Sequence, residues 1–358
     1  MNSSASETQQ QSKAALPRNV KVLGLTSLLN DTSSEIIFPL LPHFLMSILG
    51  GNRFYLGMIE GAADSLASLL KLWSGGRSDQ AGRRKGFVLF GYVMAGFSRP
   101  LIGLIVAPWQ LLLVRLGDRF GKGIRTAPRD ALIADSTDPS IRGRAFGFHR
   151  SMDHLGAAIG PVLATCFLYF WPDGIRTLFL LTFLPSIAIV FVLIFVLHEP
   201  PPLEPPKEKV QLTLKPFDNN FRLLLLALVV FTLGNSSDAF LLVRAGELGV
   251  PTMFLPILWS VFHIAKSACN FYLGRAVDRF GPRPLIFIGW FVYGAVYLAF
   301  GLATTAWHVC ILFLCYAVFY GLTEPAEKTL VANLVDRKCK GLAYGWYNFA
   351  IGIGVWPF

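Results

Sequence analysis

GGRSDQAGRR, residues 75–84, returns as GRAVDRFGPR at residues 274–283, and GRAFGFHR (143–150) returns as GLAYGWYN (341–348). SSE at 33–35 has a counterpart in SSD at 236–238. Matches at one separation of about 200 residues mark two copies of a single unit in the same orientation, a parallel repeat. The first pair carries the same residues at the same spacing: Gly75, Asp79, Gly82, Arg83 and Arg84 in one copy, Gly274, Asp278, Gly281 and Arg283 in the other.

The sequence around these motifs is apolar. Of 358 residues, 53% are hydrophobic and only 15% charged, and the mean hydropathy is +0.52. Candidate spans cover about residues 19–49, 55–75, 86–107, 109–134, 143–171, 176–198, 220–247, 251–273, 284–304, 306–335 and 341 to the end. Most exceed the roughly 20 residues that cross a hydrocarbon core. The pattern predicts an all-α polytopic membrane protein.

A net charge of +10 invites a nucleic-acid partner, but the location of the charge argues against one. Bases gather on alternate connections, on the side of the polar start at residues 1–18: Arg77, Arg83, Arg84 and Lys85; Arg142 and Arg144; Lys207, Lys209 and Lys215; Arg275, Arg279 and Arg283; Arg337, Lys338 and Lys340. The opposite connections offer Arg53, Arg176 and Arg244. That bias obeys the positive-inside rule and predicts a cytoplasmic N-terminus in a cell (inner) membrane. The first apolar segment contains Asn30, Asp31 and Glu35 and no small-residue cleavage site, so it reads as a retained span. Cys166, Cys269, Cys310, Cys315 and Cys339 form no metal or redox pattern and read as small hydrophobes.

Residues 199–219, rich in Pro and Lys, read as an exposed cytoplasmic linker. They divide a six-helix half at 19–198 from a second half at 220–358. Because span eleven begins only at Gly341, the second half is expected to be incomplete, lacking the end of span eleven and span twelve.

With its repeat and its G-x3-D-x2-G-R-R motif after span two, the chain resembles the major facilitator superfamily of secondary transporters. It departs from the family motif at Gln80 and Arg77. The resemblance implies two six-helix halves rocking about a midplane site, a small-molecule substrate, a lipid bilayer as surroundings, and a monomer without cofactor, ATP or enzymatic activity. It also implies that Asp79 faces the start of span eleven near Gly341, and Asp278 the start of span five near Gly143, when the cytoplasmic side is closed. A carboxylate there can pair with a base and with a helix N-terminus.

The stretch GFHRSMDHLGAAIGP, residues 147–161, places ionisable groups inside a span. On a helix, Phe148, Met152, Leu155 and Ile159 form one stripe, suited to lipid, while His149, Asp153, Gly156 and Gly160 form another, widened by Arg150 and His154. Ionisable groups in a span face the bundle interior or a cavity. Small residues four apart let backbones approach. Gly147, Gly156, Gly160 and Pro161 resemble the span-five signature of proton-driven antiporters, although Ala164 and Thr165 stand where that signature has glycines.

Span four carries Arg115, Asp118, Arg119, Lys122, Thr126 and Arg129 along one face. Arg119 with Gly123 resembles a family motif in which the arginine assists proton transfer, and an intrahelical pair of Asp118 with Arg115 or Lys122 accounts for the same spacing. Further ionisable groups fall at membrane depth: Asp31, Glu35, Asp238, His263, Lys266, Glu324, Glu327 and Lys328. A carboxylate in such a cavity is a candidate proton carrier, with Asp31 or Glu35 the first choice and Asp153 a third candidate. GDRFGKG at 117–123 has the wrong spacing for a phosphate loop. His149 and Asp153 alone do not close a metal shell. The expected function is proton-coupled efflux of a small organic solute. The alternatives are uptake, by symport or facilitated diffusion, of a nutrient or metal chelate, or a receptor-like role.

Overall fold

The computed structural model describes residues 15–201, 211–235, 238–251 and 254–354, and within them the regular structure is helical throughout. The first fourteen residues, Lys207 and Lys209 of the linker, Ser236 and Ser237 of the SSD match, and the side chain of Arg53 lie outside the described residues.

Local chemistry sets the ends of the helices. α1 (Arg18–Ile37) starts after Pro17. Pro39 and Pro42 do not end this span. It continues through a 3-10 turn (Phe38–Leu40), a short helix (Leu41–His43) and a π turn (Phe44–Ile48). α2 (Arg53–Ala81) is capped by the Asn52 side chain, which accepts the Tyr55 amide at 3.0 Å, and it stops at Gly82, whose φ of 63° is left-handed. Only Gly adopts that region cheaply, and Gly281, with φ 82°, ends the matching helix of the second copy. α3 (Lys85–Leu101), α4 (Pro108–Asp135) and α5 (Arg142–Phe170) follow. α6 comes in two pieces, Ile175–Leu181 and Phe183–Phe195. α7 runs Asn219–Leu233 behind an Asp218 cap and resumes as Asp238–Glu247. α8 (Leu255–Phe280), α9 (Pro282–Leu302), α10 (Ala306–Leu334) and α11 (Lys340–Gly354) complete the described bundle.

By length and composition, 5 described segments can cross a membrane: Lys85–Leu104, Pro139–Phe170, Ile175–Phe195, Pro282–Leu302 and Ala306–Leu334. α2, α4 and α8 are equally long but carry many ionisable groups, of which Asp79, Arg115, Asp118, Arg125, Arg129, Asp130 and Lys266 are buried, while Asp64 is exposed. Outer faces expose Phe191, Phe195, Phe287 and Phe291, surfaces suited to hydrocarbon. The protein is a multi-pass membrane protein.

The main packed pairs are α5 against α1 and α8, α4 against α2 and α3, and α2 against α11. Buried apolar residues form three clusters. One joins both repeats at the face that bears the basic connections, from Val20 and Ala131 to Tyr344. The other two stay within one repeat each, around Phe44 and Phe179, and around Phe262 and Phe313. The two units therefore share a core at the basic face and part toward the opposite face.

Glycines allow the closest approaches. A Cβ on Gly274 would lie 2.7 Å from the Gly143 carbonyl oxygen, and one on Gly75 would strike the Gly341 carbonyl. On α5, a Cβ on Gly156 would strike the Leu28 carbonyl, and one on Gly160 would lie 2.7 Å from the Thr32 carbonyl and 2.8 Å from Glu35 Cβ. The small-residue stripe thus seats α1, bringing Asp31 and Glu35 against α5. The neighbouring stripe is only partly open to its surroundings. Phe148, Met152, Leu155 and Ile159 are half-buried, because Phe148 and Met152 fill the space beside Gly24 of α1.

Replacing Gly156 or Gly160 with Leu is expected to destabilise the purified protein by about 1–3 kcal/mol, the usual cost of overpacking against backbone. Ile159→Leu should be close to neutral. Thermal unfolding in detergent checks this; equal tolerance at all three positions would remove the packing role.

Candidate functional site

The basic face is sealed by two related seams. At the α2–α11 crossing, Asp79 accepts the Gly341 amide at 2.9 Å and the Leu342 amide at 2.7 Å, and the Arg84 guanidinium lies 2.9 Å from the same carboxylate. At the α5–α8 crossing, Asp278 accepts the amides of Gly143 (2.6 Å) and Arg144 (2.9 Å). The first amides of a helix have no acceptor within it, so a carboxylate placed there satisfies donors and meets the positive end of the dipole. Around them Asp135 takes Arg84 at 2.8 Å, Lys340 at 3.2 Å and Arg337 at 3.6 Å, and Arg142 donates to Asn333 at 2.7 Å. Of the motif arginines only Arg84 enters the seam; Arg83 and Arg283 are exposed. Glu199 caps α3 by accepting the Arg84 amide at 2.7 Å and the Lys85 amide at 3.0 Å.

Above the seams, the polar side of α5 reaches across to the second repeat. Arg150 donates to Asp153 at 2.8 Å and to Glu324 of α10. Glu324 also takes His154 (2.9 Å) and Asn270 of α8 (2.9 Å). The His154 ring lies 5.4 Å from that of His263, one turn from Lys266. Lys266 pairs with Asp238 at 3.3 Å and sits over the Tyr320 ring at 3.6 Å. Tyr316 and Tyr320 donate to the same Asp238 at 3.0 and 2.8 Å. On the near side His149 meets Ser27 of α1 at 3.1 Å. The ionisable groups in GFHRSMDHLG thus link α1, α5, α8 and α10.

A cavity of about 350 Å³ lies between the repeats. Asp31, Lys71, Lys122, Arg125, Arg129, Arg150 and Asp153 line one wall, and Phe231, Phe319, Tyr320, Glu324, Glu327, Lys328 and Tyr347 the other. Lys328 bridges to Asp130 at 2.7 Å, and Arg129 pairs with Asp130 at 3.2 Å. Glu327 accepts the Tyr347 hydroxyl at 2.8 Å. Asp31 accepts only Asn30 Nδ2, at 2.7 Å, and no base lies within 4 Å of it among the described residues.

Asp118, Arg119 and Glu35 do not line this cavity. Asp118 is fixed between Arg99 (2.9 Å) and Arg115 (3.4 Å), and Arg99 also donates to the Asn30 carbonyl at 2.8 Å. Asp118 therefore ties α4 to α3 and α1, away from the cavity wall. Arg119 turns to Glu60 and Asp64 of α2, at 3.5 and 3.3 Å, and no ion pair joins it to Asp31, Glu35 or Asp153. Glu35, on α1, sits against Gly160 of α5. Sequence reasoning missed Lys71, Arg99, Arg125, Asp130 and Asp135. A lone lysine within apolar span two, and Arg125 between Lys122 and Arg129, were usable signals. No group of three or more metal-type side chains occurs among the described residues.

A helical bundle of two like-oriented repeats, sealed at one face over a charged cavity, defines a membrane transporter. Residues 23–356 match the profile of the Major Facilitator Superfamily, and the chain belongs to that family. It is 30% identical to an uncharacterized MFS-type transporter of Methanocaldococcus jannaschii, MJ1317, over 96% of this chain and 87% of that one. It is 23% identical to the multidrug resistance protein MdtH of Yersinia pseudotuberculosis, over 89% and 79% of the two chains. Among solved structures, the human organic anion transporter MFSD10 superposes with a TM-score of 0.77 at 16% identity, over 94% of this chain and 90% of that one.

Asp79→Asn removes the charge from the α2–α11 seam, where charge-assisted hydrogen bonds are worth about 1.5–3 kcal/mol. A cysteine placed at Ala343, buried in that seam, is expected to react with a soluble maleimide about tenfold faster or more when combined with Asp79→Asn. Unchanged reactivity would mean that Asp79 does not hold the face closed.

Proposed function

We propose that the chain is a proton-coupled secondary transporter of a small organic solute, working by alternating access in the cytoplasmic membrane with its N-terminus inside. Its two halves, 19–198 and 220–358, rock about the cavity, with the Asp79 and Asp278 seams as the cytoplasmic gate. The orientation is supported by the bias of bases to the sealed face. The observation that carries proton coupling is the contrast among carboxylates on the cavity wall. Asp153 and Glu324 are both held by Arg150 and Glu327 by the Tyr347 hydroxyl, whereas Asp31 has neither a base within 4 Å nor a tyrosine on it among the described residues. A carrier has to bind and release a proton, and a carboxylate without an ion pair does so without first breaking one. Asp31 is the carrier in this reading, with Glu35 one turn along the same helix.

Direction follows from the charge of the solute. A proton on Asp31 removes a negative charge from the cavity, which strengthens binding of an anion and weakens that of a cation; by linkage the solute acts on the proton in the same sense. A cation is therefore exchanged for protons, and an anion travels with them. The span-five glycine pattern and the likeness to a multidrug resistance protein favour exchange and export. The number of bases on the cavity wall favours the second reading, proton symport and uptake.

In proteoliposomes, Asp31→Asn is expected to abolish accumulation driven by a proton gradient while solute exchange at equal pH continues. Asp153→Asn, which strips Arg150 of one partner, should impair both. Full gradient-driven accumulation in the Asp31→Asn variant would transfer the role away from Asp31; the same result with Glu35→Gln as well would favour facilitated diffusion.

A further inference from the structure

The bases of the cavity fall into two sets. Arg150, Arg129 and Lys328 are committed to Asp153, Glu324 and Asp130. Lys71 of α2 and Lys122 and Arg125 of α4 line the same cavity and have no carboxylate within 4 Å among the described residues. Arg125 is 3% exposed, its guanidinium stands 4.5 Å over the Tyr92 ring, and its Nε and Nη1 have no hydrogen-bond partner among the described residues. A buried guanidinium with open donors is costly unless an acceptor arrives. Lys122 is partly exposed within the cavity.

Few structural partners can fill this need. The nearby carboxylates Glu60 and Asp64 are engaged by Arg115 and Arg119. On the cavity wall only Asp31 and Glu327 are without a base among the described residues, and Glu327 lies on α10, held by Tyr347. Ionised Asp31 would balance one of three bases, and protonated it would balance none. The rings of Phe231, Phe319 and Tyr320, from the second repeat, line the same cavity.

We infer that the transported solute is a small organic anion, whose carboxylate or similar oxyanion sits among Lys71, Lys122 and Arg125 and whose apolar body lies against Phe231, Phe319 and Tyr320. This rests on the reading of the cavity as the solute site and adds the solute's class to it. Arg125 supplies open donors from a fixed plane, suited to an oxyanion, and the two lysines supply charge on adjustable stems. Even with Asp31 ionised, a cation would meet two uncompensated bases, and a neutral solute would leave them unpaired.

The test is binding to the full chain in detergent, read as the ligand-dependent rise in unfolding temperature. The probes are phthalate, its neutral relative benzamide, and benzyltrimethylammonium, with sodium sulfate at matched ionic strength as control. Phthalate alone is expected to give a saturable rise. Lys71→Gln and Lys122→Gln should each weaken it about tenfold or more, and Lys122→Arg should largely restore it. Should Arg125→Gln fail to fold, the two lysine variants still decide the matter. A saturable rise with the ammonium compound, no rise with phthalate, or phthalate binding indifferent to both lysine substitutions would overturn the inference. A rise with sulfate equal to that with phthalate would overturn its organic part. Binding requires no gradient, so phthalate binding without proton-driven flux would refute the transport reading and leave the anion site. Proton-driven flux of the ammonium compound without phthalate binding would do the reverse.

Discussion

Closure of the basic face depends on two backbones coming close enough for an aspartate to reach the first amides of a helix in the opposite repeat. Gly75 touches Gly341, and Gly143 touches Gly274, because neither side carries a Cβ. Only at that separation can Asp79 span to Gly341 and Leu342, or Asp278 to Gly143 and Arg144. The interaction is short-ranged and directional, so a small separation of the helices removes it altogether. The shared apolar core lies at this face, while the clusters toward the other face belong to single repeats. The position and depth of the cavity follow from that arrangement.

The two seams are not identical. Asp79 is reinforced by Arg84, which also binds Asp135, and Asp135 in turn takes Lys340 and Arg337 from the other repeat. Asp278 has backbone donors, and Arg283, the counterpart of Arg84, is exposed. Duplication supplied two equivalent crossings, and the surrounding charges made the α2–α11 crossing the more heavily tied.

Inside the bundle, charge sorts into groups that hold helices together and groups left open to the cavity. Glu60, Arg115, Asp118, Arg99 and Asn30 form a chain through α2, α4, α3 and α1. Arg150, Glu324, His154 and Asn270 tie α5 to α10 and α8. Such groups are costly to bury singly and are tolerated because each finds a partner. Asp31, Lys71, Lys122 and Arg125 do not complete that pairing, and they are on the cavity wall, where a proton or a solute can reach them.

Hydropathy, the bias of the bases and the repeated glycine and aspartate motif made the membrane class, the duplication and the family resemblance legible before any coordinates. Helical periodicity likewise placed His149, Arg150, Asp153 and His154 on the inward side of α5. These features are local: they depend on the order of residues along one helix and on the solvent around it. Partnership is not local. The stripe on span four suggested Arg119 as the base for a cavity carboxylate, yet α2 presents Glu60 and Asp64 to it, while Arg99 takes Asp118. Phe148 and Met152 lie on the stripe suited to lipid, yet both are half-buried because Gly24 makes room for them against α1. Periodicity gives the angle at which a side chain leaves its helix, but which charge meets which depends on the distance and rotation between helices. Those are decided by glycine contacts among distant segments, so the division between paired and open charges belongs to the tertiary structure.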